Sequence, residues 1–164
     1  MKRIVIYHSS TGFTKRYAEW IAKELHCEAK ALKKVSAKEL AEQDRVIFGG
    51  WIMGNMIMGL NKIKKYGVKN LIIFAVGSNQ PLDEVKEAIQ NTNQLGSQSF
   101  FYMQGGIQFE KLGFIKRKML GMVRNTIAKK EVKTPSDEYM LKALSGSFDA
   151  LDQTQINALI DFVA

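Results

Sequence analysis

Residues 3–14 read Arg3-Ile4-Val5-Ile6-Tyr7-His8-Ser9-Ser10-Thr11-Gly12-Phe13-Thr14. Arg3 to Tyr7 is a short β-prone run, and His8 to Phe13 is a polar turn. Behind it Tyr17, Ile21 and Leu25 recur every fourth residue, the spacing of one helix face. A strand that passes through a hydroxyl-rich turn straight into an amphipathic helix is the opening of a βα unit.

The rest of the chain repeats the unit. A weak strand is expected at Glu28 to Leu32 and a short helix at Ser36 to Gln43. Arg45 to Phe48 is the next strand, ending at Gly49-Gly50. Met56 to Tyr66 is expected to be helical and to stop at Gly67. Leu71 to Val76 is continuously apolar, as in strands buried on both faces. A helix over Asp83 to Thr92 follows, with Val85, Ala88 and Ile89 on one side. Ser99 to Met103 is a strand that ends near Gly105-Gly106. Asp152 is placed to cap a last helix whose inner face is Ile156, Leu159, Ile160 and Val163. The alternation predicts an α/β fold, a doubly wound five-stranded parallel sheet with helices on both faces. Residues 1–164 are expected to form one domain. Ile107 to Ala150 is too long for an ordinary connection and is expected to be a helical insert before the last helix.

Composition narrows the class. The 164 residues are 46% hydrophobic and 24% charged, which suits one globular core and excludes a disordered chain. The single cysteine, Cys27, excludes an internal disulfide and any Cys-x-x-Cys site, and reads as a small buried thiol of a reduced compartment. The longest apolar run is far too short to span a bilayer. The basic start is cut off by His8-Ser9-Ser10 before a signal-peptide core can form. These features predict a cytoplasmic protein, peripheral at the inner face of a membrane at most. Twenty-four Lys and Arg against 16 Asp and Glu leave a net charge of +8, which points to an anionic partner.

In open parallel sheets ligands bind beyond the carboxyl ends of the strands, so the loops after Tyr7, Phe48, Val76 and Met103 are the candidate sites. Ser9, Ser10, Thr11 and Thr14 bring four hydroxyls, with Gly12, to a helix start, where free N–H groups favour an anion. Lys15 and Arg16 are close enough in sequence to add attraction. No Gly-Lys-Ser/Thr and no Gly-x-Gly-x-x-Gly is present, which excludes a Walker loop and a dinucleotide fingerprint. The loop also lacks the cysteine of a phosphatase loop, and the strand ends lack the aspartate cluster of a receiver domain. By its residues alone the loop is either an anion cradle or a polar N-cap turn. No cluster of acid, base or metal-ligating side chains stands out. His8 reads as a local hydrogen-bonding residue and His26 as a surface residue.

Ser9-Ser10-Thr11-Gly12-Phe13-Thr14 resembles the flavodoxin phosphate loop, Ser/Thr-x-Thr-Gly-x-Thr, at every fixed position. The order of elements resembles the flavodoxin-like fold over nearly the whole chain. The resemblance implies FMN, held by its phosphate at Ser9, Ser10, Thr11, Gly12, Phe13 and Thr14. It places Gly50, Trp51, Ile52, Met53 and Gly54, as the loop after the third strand, against the flavin ring. An indole there suits stacking, and glycines allow close backbone approach. It places Gly77, Ser78 and Asn79 at the pyrimidine edge. Read only as residues, the plainer alternatives are a partly buried packing residue at Trp51 and a tight turn at Gly77–Asn79 before the helix after Pro81.

Gln104-Gly105-Gly106-Ile107-Gln108-Phe109, followed by Lys111 to Ile127, is similar to the inserted region of menaquinone-dependent protoporphyrinogen oxidases, which are flavodoxin-type enzymes. Met53, Asn55 and Met56 depart from the basic and aromatic loop of that group. The similarity implies an FMN-dependent oxidoreductase that passes electrons from a small reductant such as protoporphyrinogen to a quinone or another acceptor. The alternative is a soluble one-electron carrier, whose partner would be a redox protein. A third reading keeps the fold as a binding domain without FMN.

Lys111 to Lys130 holds seven basic residues and no acid, so nearly the whole charge surplus lies there. Leu112, Ile115, Met119, Met122 and Val123 share one helical face. Arg117, Lys118 and Arg124 lie opposite, and Phe114 sits among the charges. Three readings remain open: the apolar stripe packs on the sheet, the helix lies on an anionic membrane surface, or the charges meet nucleic acid. Scarce aromatics disfavour nucleic acid.

Overall fold

The computed structural model describes residues 1–164. The apolar runs become strands β1 (Arg3–His8), β2 (Glu28–Ala31) and β3 (Arg45–Met53), then the short β4 (Met56–Ile57), β5 (Leu71–Gly77) and β6 (Phe100–Gln104). Helices α1 (Phe13–Glu24), α2 (Ala37–Ala41), α3 (Leu60–Lys65) and α4 (Asp83–Thr92) connect them. The five long strands pair in parallel in the order β2-β1-β3-β5-β6. The central strands are buried on both faces, which is why Leu71 to Val76 needs no polar alternation. Chain order reverses between β1 and β3, and the rule that such switch points hold ligands has flavodoxin itself among its standard examples.

Two apolar layers sandwich the sheet. On one face Ile6, Phe48 and Ile73 pack against Leu60 and Ile63 of α3 and Val85 and Ile89 of α4. On the other, Val5, Ile47, Phe74 and Met103 pack against Tyr17, Ala18 and Ile21 of α1 and against Leu159 and Val163. The last two belong to α7 (Asn157–Val163), which follows a 3-10 turn over Gln153–Ile156. Asp152 caps that turn, accepting the Thr154 N–H at 2.9 Å, and does not cap the helix itself. Ser36 caps α2 by accepting the Glu39 N–H at 3.2 Å.

One expectation needs correction, and one of the readings left open for the insert falls. The third strand does not end at Gly49-Gly50 but runs on to Met53, and Met56–Ile57 returns antiparallel along it. The expected helix from Met56 is therefore a hairpin first and a helix only from Leu60. Gly54 and Asn55 form its two-residue turn, both at positive φ (54° and 65°), as a tight hairpin requires. The insert, for its part, does not pack its apolar stripe on the sheet. It leaves and re-enters through a neck in which β7 (Gly106–Ile107) pairs antiparallel with β8 (Phe148–Asp149). Between them lie α5 (Phe114–Ala128), with no buried residue, and α6 (Pro135–Ala143), closed by a Thr134–Asp137 capping box.

Candidate functional site

At the end of β1 the chain turns through Ser9–Gly12 into α1. Gly12 stands at the N-cap with φ +106°, and no side chain caps the helix. The first α1 amide to reach a backbone carbonyl is that of Arg16, bonded to the Gly12 carbonyl at 3.0 Å. The preceding N–H groups are thus left for another acceptor. The Ser9 hydroxyl accepts the Gly12 N–H at 3.2 Å. Thr14 is almost fully buried. The Phe13 side chain packs into the core against the sheet. Lys15 and Arg16 are also turned elsewhere: Lys15 lies 3.8 Å from Glu19, and the Arg16 guanidinium lies over Trp20.

A cation does reach the loop, from far along the chain. Lys116 of α5 donates to the Ser10 hydroxyl at 2.7 Å, and its ammonium lies 4.7 Å from the centre of the Trp51 ring. Lys116 also acts on His8. Burial first, then the charges of Lys116 and Lys62, hold the imidazole below its ordinary pKa. His8 makes no side-chain hydrogen bond, contrary to the local hydrogen-bonding role expected from its position. His26 is exposed, as expected.

The segment Gly50–Met53 is strand and not a free loop. Gly50 is required by the hairpin: a Cβ there would strike the Met58 carbonyl and come within 2.7 Å of Ile57 Cγ2. The hairpin that carries Trp51 is clipped from below by Asn93, at the end of α4. Asn93 accepts the Ile57 N–H at 2.9 Å and donates to the Asn55 carbonyl at 2.7 Å and the Ile89 carbonyl at 2.8 Å.

After β5, Gly77, Ser78 and Asn79 form the third wall. Tyr102 donates to the Asn79 carbonyl at 2.7 Å, and burial raises its phenol far above the usual pKa. The Asn79 side chain is already committed, donating to the Ser136 hydroxyl and accepting the Gln80 N–H. Its amide is therefore a fastening for α6. Gln104 adds a second one, donating to the Ser78 carbonyl at 3.1 Å and the Tyr139 hydroxyl at 2.6 Å. Behind the site Tyr17 donates to the Gln104 carbonyl at 2.5 Å and accepts from Gln155 at 2.7 Å. Its pKa is pushed up to about 12, chiefly by burial.

The three walls open onto one cleft of about 790 Å³, roofed by α5 and α6. Such a volume lies within the ~300–1,000 Å³ of ligand sites. All of the expected site residues line it except Gly12 and Gly50. Leu112, Met119, Met122 and Val123 of the insert stripe line it too, and so does Gly106, whereas Ile115 faces away. Sequence reasoning missed Lys116 as a site residue, seeing one cation among seven, and missed Asn93 altogether. No group of three or more His, Cys, Asp or Glu side chains comes together as a metal site.

A family model for the flavodoxin domain matches residues 4–150. This chain belongs to the flavodoxin-domain family. No curated protein matches the chain. Among solved structures, this flavodoxin domain is similar to a flavodoxin from the domain Archaea (20% identity, 76% of this chain and 98% of that one, TM-score 0.43). It is also similar to oxidised Flavodoxin 1 from Bacillus cereus (16% identity, 80% and 100%, TM-score 0.43). A third is the rubredoxin oxygen:oxidoreductase of Desulfovibrio gigas (19% identity, 99% and 37%, TM-score 0.42). No helix of the flavodoxin domain is long and apolar enough to cross a membrane.

Proposed function

We propose that this flavodoxin domain binds FMN in the cleft and serves in electron transfer. The observation that carries the reading is the convergence at one strand-order switch point of an uncapped, hydroxyl-rich helix start, a cation and an accessible indole. The residues fit the group. A phosphate monoester carries about two negative charges at pH 7 and needs several donors. Ser9, Ser10, Thr11 and Thr14 supply hydroxyls, and the uncapped turn supplies amides. Trp51 offers a flat face to a flat ring, and Gly77 and Ser78 offer backbone to its edge. Bound flavin would supply the redox chemistry, while the protein holds, orients and partly desolvates it. Purification with added FMN, a visible spectrum and a titration test this reading. A flavin band that survives gel filtration is expected; absence of binding would end it.

A second reading is favoured by the insert. In it the protein is an oxidoreductase of the menaquinone-dependent protoporphyrinogen oxidase type, taking electrons from a small reductant and passing them to a quinone at an anionic membrane. Its support is the apolar roof of the cleft, together with Phe114, Ile115 and Val132 of the insert, which are among the most exposed large apolar residues of the chain. Turnover of protoporphyrinogen with a menaquinone analogue separates enzyme from carrier. Sedimentation with anionic vesicles at low salt tests the membrane contact, and no preference over neutral vesicles would remove it.

A further inference from the structure

We infer that Lys116 makes the insert part of the phosphate site, so that α5 reads the phosphate of the cofactor and is held over the cleft by it. This rests on the FMN reading above and assigns a role to a residue outside the phosphate-loop motif.

Several observations lead there. Lys116 is the cation that touches the loop, through Ser10 at 2.7 Å, although it lies 106 residues away in sequence. The two cations that follow the loop in sequence are occupied on α1 itself, Lys15 with Glu19 and Arg16 over Trp20. The cation in direct contact with the loop is therefore one that the insert delivers. An ammonium has three donors and Ser10 takes one, so two remain for a phosphate held at the loop. Lys116 is in no ion pair with a carboxylate, the one ion pair formed by the insert being between Lys130 and Asp137. Lys116 also sits at the Trp51 ring, which ties the charge to the wall where the flavin would stack.

The mechanical consequence follows from the attachment of α5. The helix buries no residue of its own. Near the helix start its polar fastening to the body is Lys116 to Ser10, while Arg117 donates to the Phe109 carbonyl within the insert, just past the neck. A charge-assisted bond from Lys116 to a dianion is stronger than its bond to a neutral hydroxyl. Phosphate binding thus fastens the roof, and a flavin without phosphate leaves it loose.

The test compares FMN with riboflavin, which has the ring and ribityl chain but no phosphate, by fluorescence titration of the full chain. Lys116→Gln should weaken FMN by ~10-fold or more. It should leave riboflavin within ~2-fold of the parent protein, and Lys116→Arg should restore most of the loss. Lys118→Gln, the same charge change two residues away, should alter neither ligand. Hydrogen exchange gives the second readout: FMN should slow the amides of Phe114–Ala128 more than riboflavin does, and Lys116→Gln should abolish the difference. Equal losses of FMN and riboflavin in Lys116→Gln, or an FMN affinity within ~2-fold of the parent, would overturn the inference. Failure of the parent protein to bind FMN at all would instead overturn the functional reading on which it stands.

Discussion

Replacing Asn93 by Ala should loosen the hairpin that carries Trp51, and the cost can be worked from its three hydrogen bonds. The Ile57 N–H loses its acceptor at 2.9 Å. Ile57 is only 3% exposed, so water cannot take over and the buried donor stays unpaired, at about 1–3 kcal/mol. The Asn55 carbonyl loses its donor at 2.7 Å, but Asn55 is exposed and is rehydrated, at about 1 kcal/mol. The Ile89 carbonyl keeps the Asn93 N–H at 3.1 Å and costs little. The sum is roughly 2–4 kcal/mol, or about 4–16 °C in Tm for a chain of this size. Thermal and urea unfolding followed by circular dichroism measure it. Hydrogen exchange should show the Ile57 amide losing protection before the core strands do. FMN affinity should fall with it, because Trp51 stands on the loosened strand. Asn93→Asp keeps the acceptor for Ile57 but points a buried carboxylate at two carbonyls, so at pH 7 it should be at least as damaging. A loss below about 0.5 kcal/mol, with Ile57 exchange unchanged, would refute the clip.

Other expectations follow from single features. Gly12→Ala places a side chain at φ +106° with open space around it, so the cost is conformational strain of about 1–2 kcal/mol without a clash, read by urea unfolding. Tyr102→Phe removes the bond to the Asn79 carbonyl and should cost about 1 kcal/mol while speeding amide exchange across 77–79. The folded protein holds His8 below its ordinary pKa, so the unfolded chain binds that proton more tightly and stability falls as pH drops below about 6.5. His8→Gln should flatten that part of the stability profile. Lys116→Gln should raise the native His8 pKa, followed by the ring proton shift in NMR; an unmoved titration would contradict the placement of Lys116.

The strand-turn-helix at Arg3 to Thr14, the apolar run at Leu71 to Val76 and the amphipathic spacings were enough to read the doubly wound sheet, because local periodicity reports which faces are buried. The hairpin at Gly54-Asn55 carried its own signal, a Gly-Asn pair between apolar residues, but the helical spacing of Met56 to Tyr66 masked it. The loop after β1 was legible because what marks it is local: hydroxyls, a glycine and amides lie within six residues. Asn93 and Lys116 were not, since an asparagine at a helix end and a lysine among seven look ordinary until the chain is folded.

The sequence by itself determined the parallel α/β order, the place of the hydroxyl-rich loop after the first strand and the concentration of charge in Lys111 to Lys130. Each is a matter of near neighbours along the chain. Only the tertiary structure decided that α5 leaves the sheet and roofs the cleft, that Lys15 and Arg16 turn away, and that Lys116 comes to Ser10 in their place. The placing of α5 and of Lys116 depends on the β7–β8 neck, which fixes where the insert leaves the sheet and returns to it. Contacts across 106 residues are set by that geometry and leave no periodic mark on the sequence.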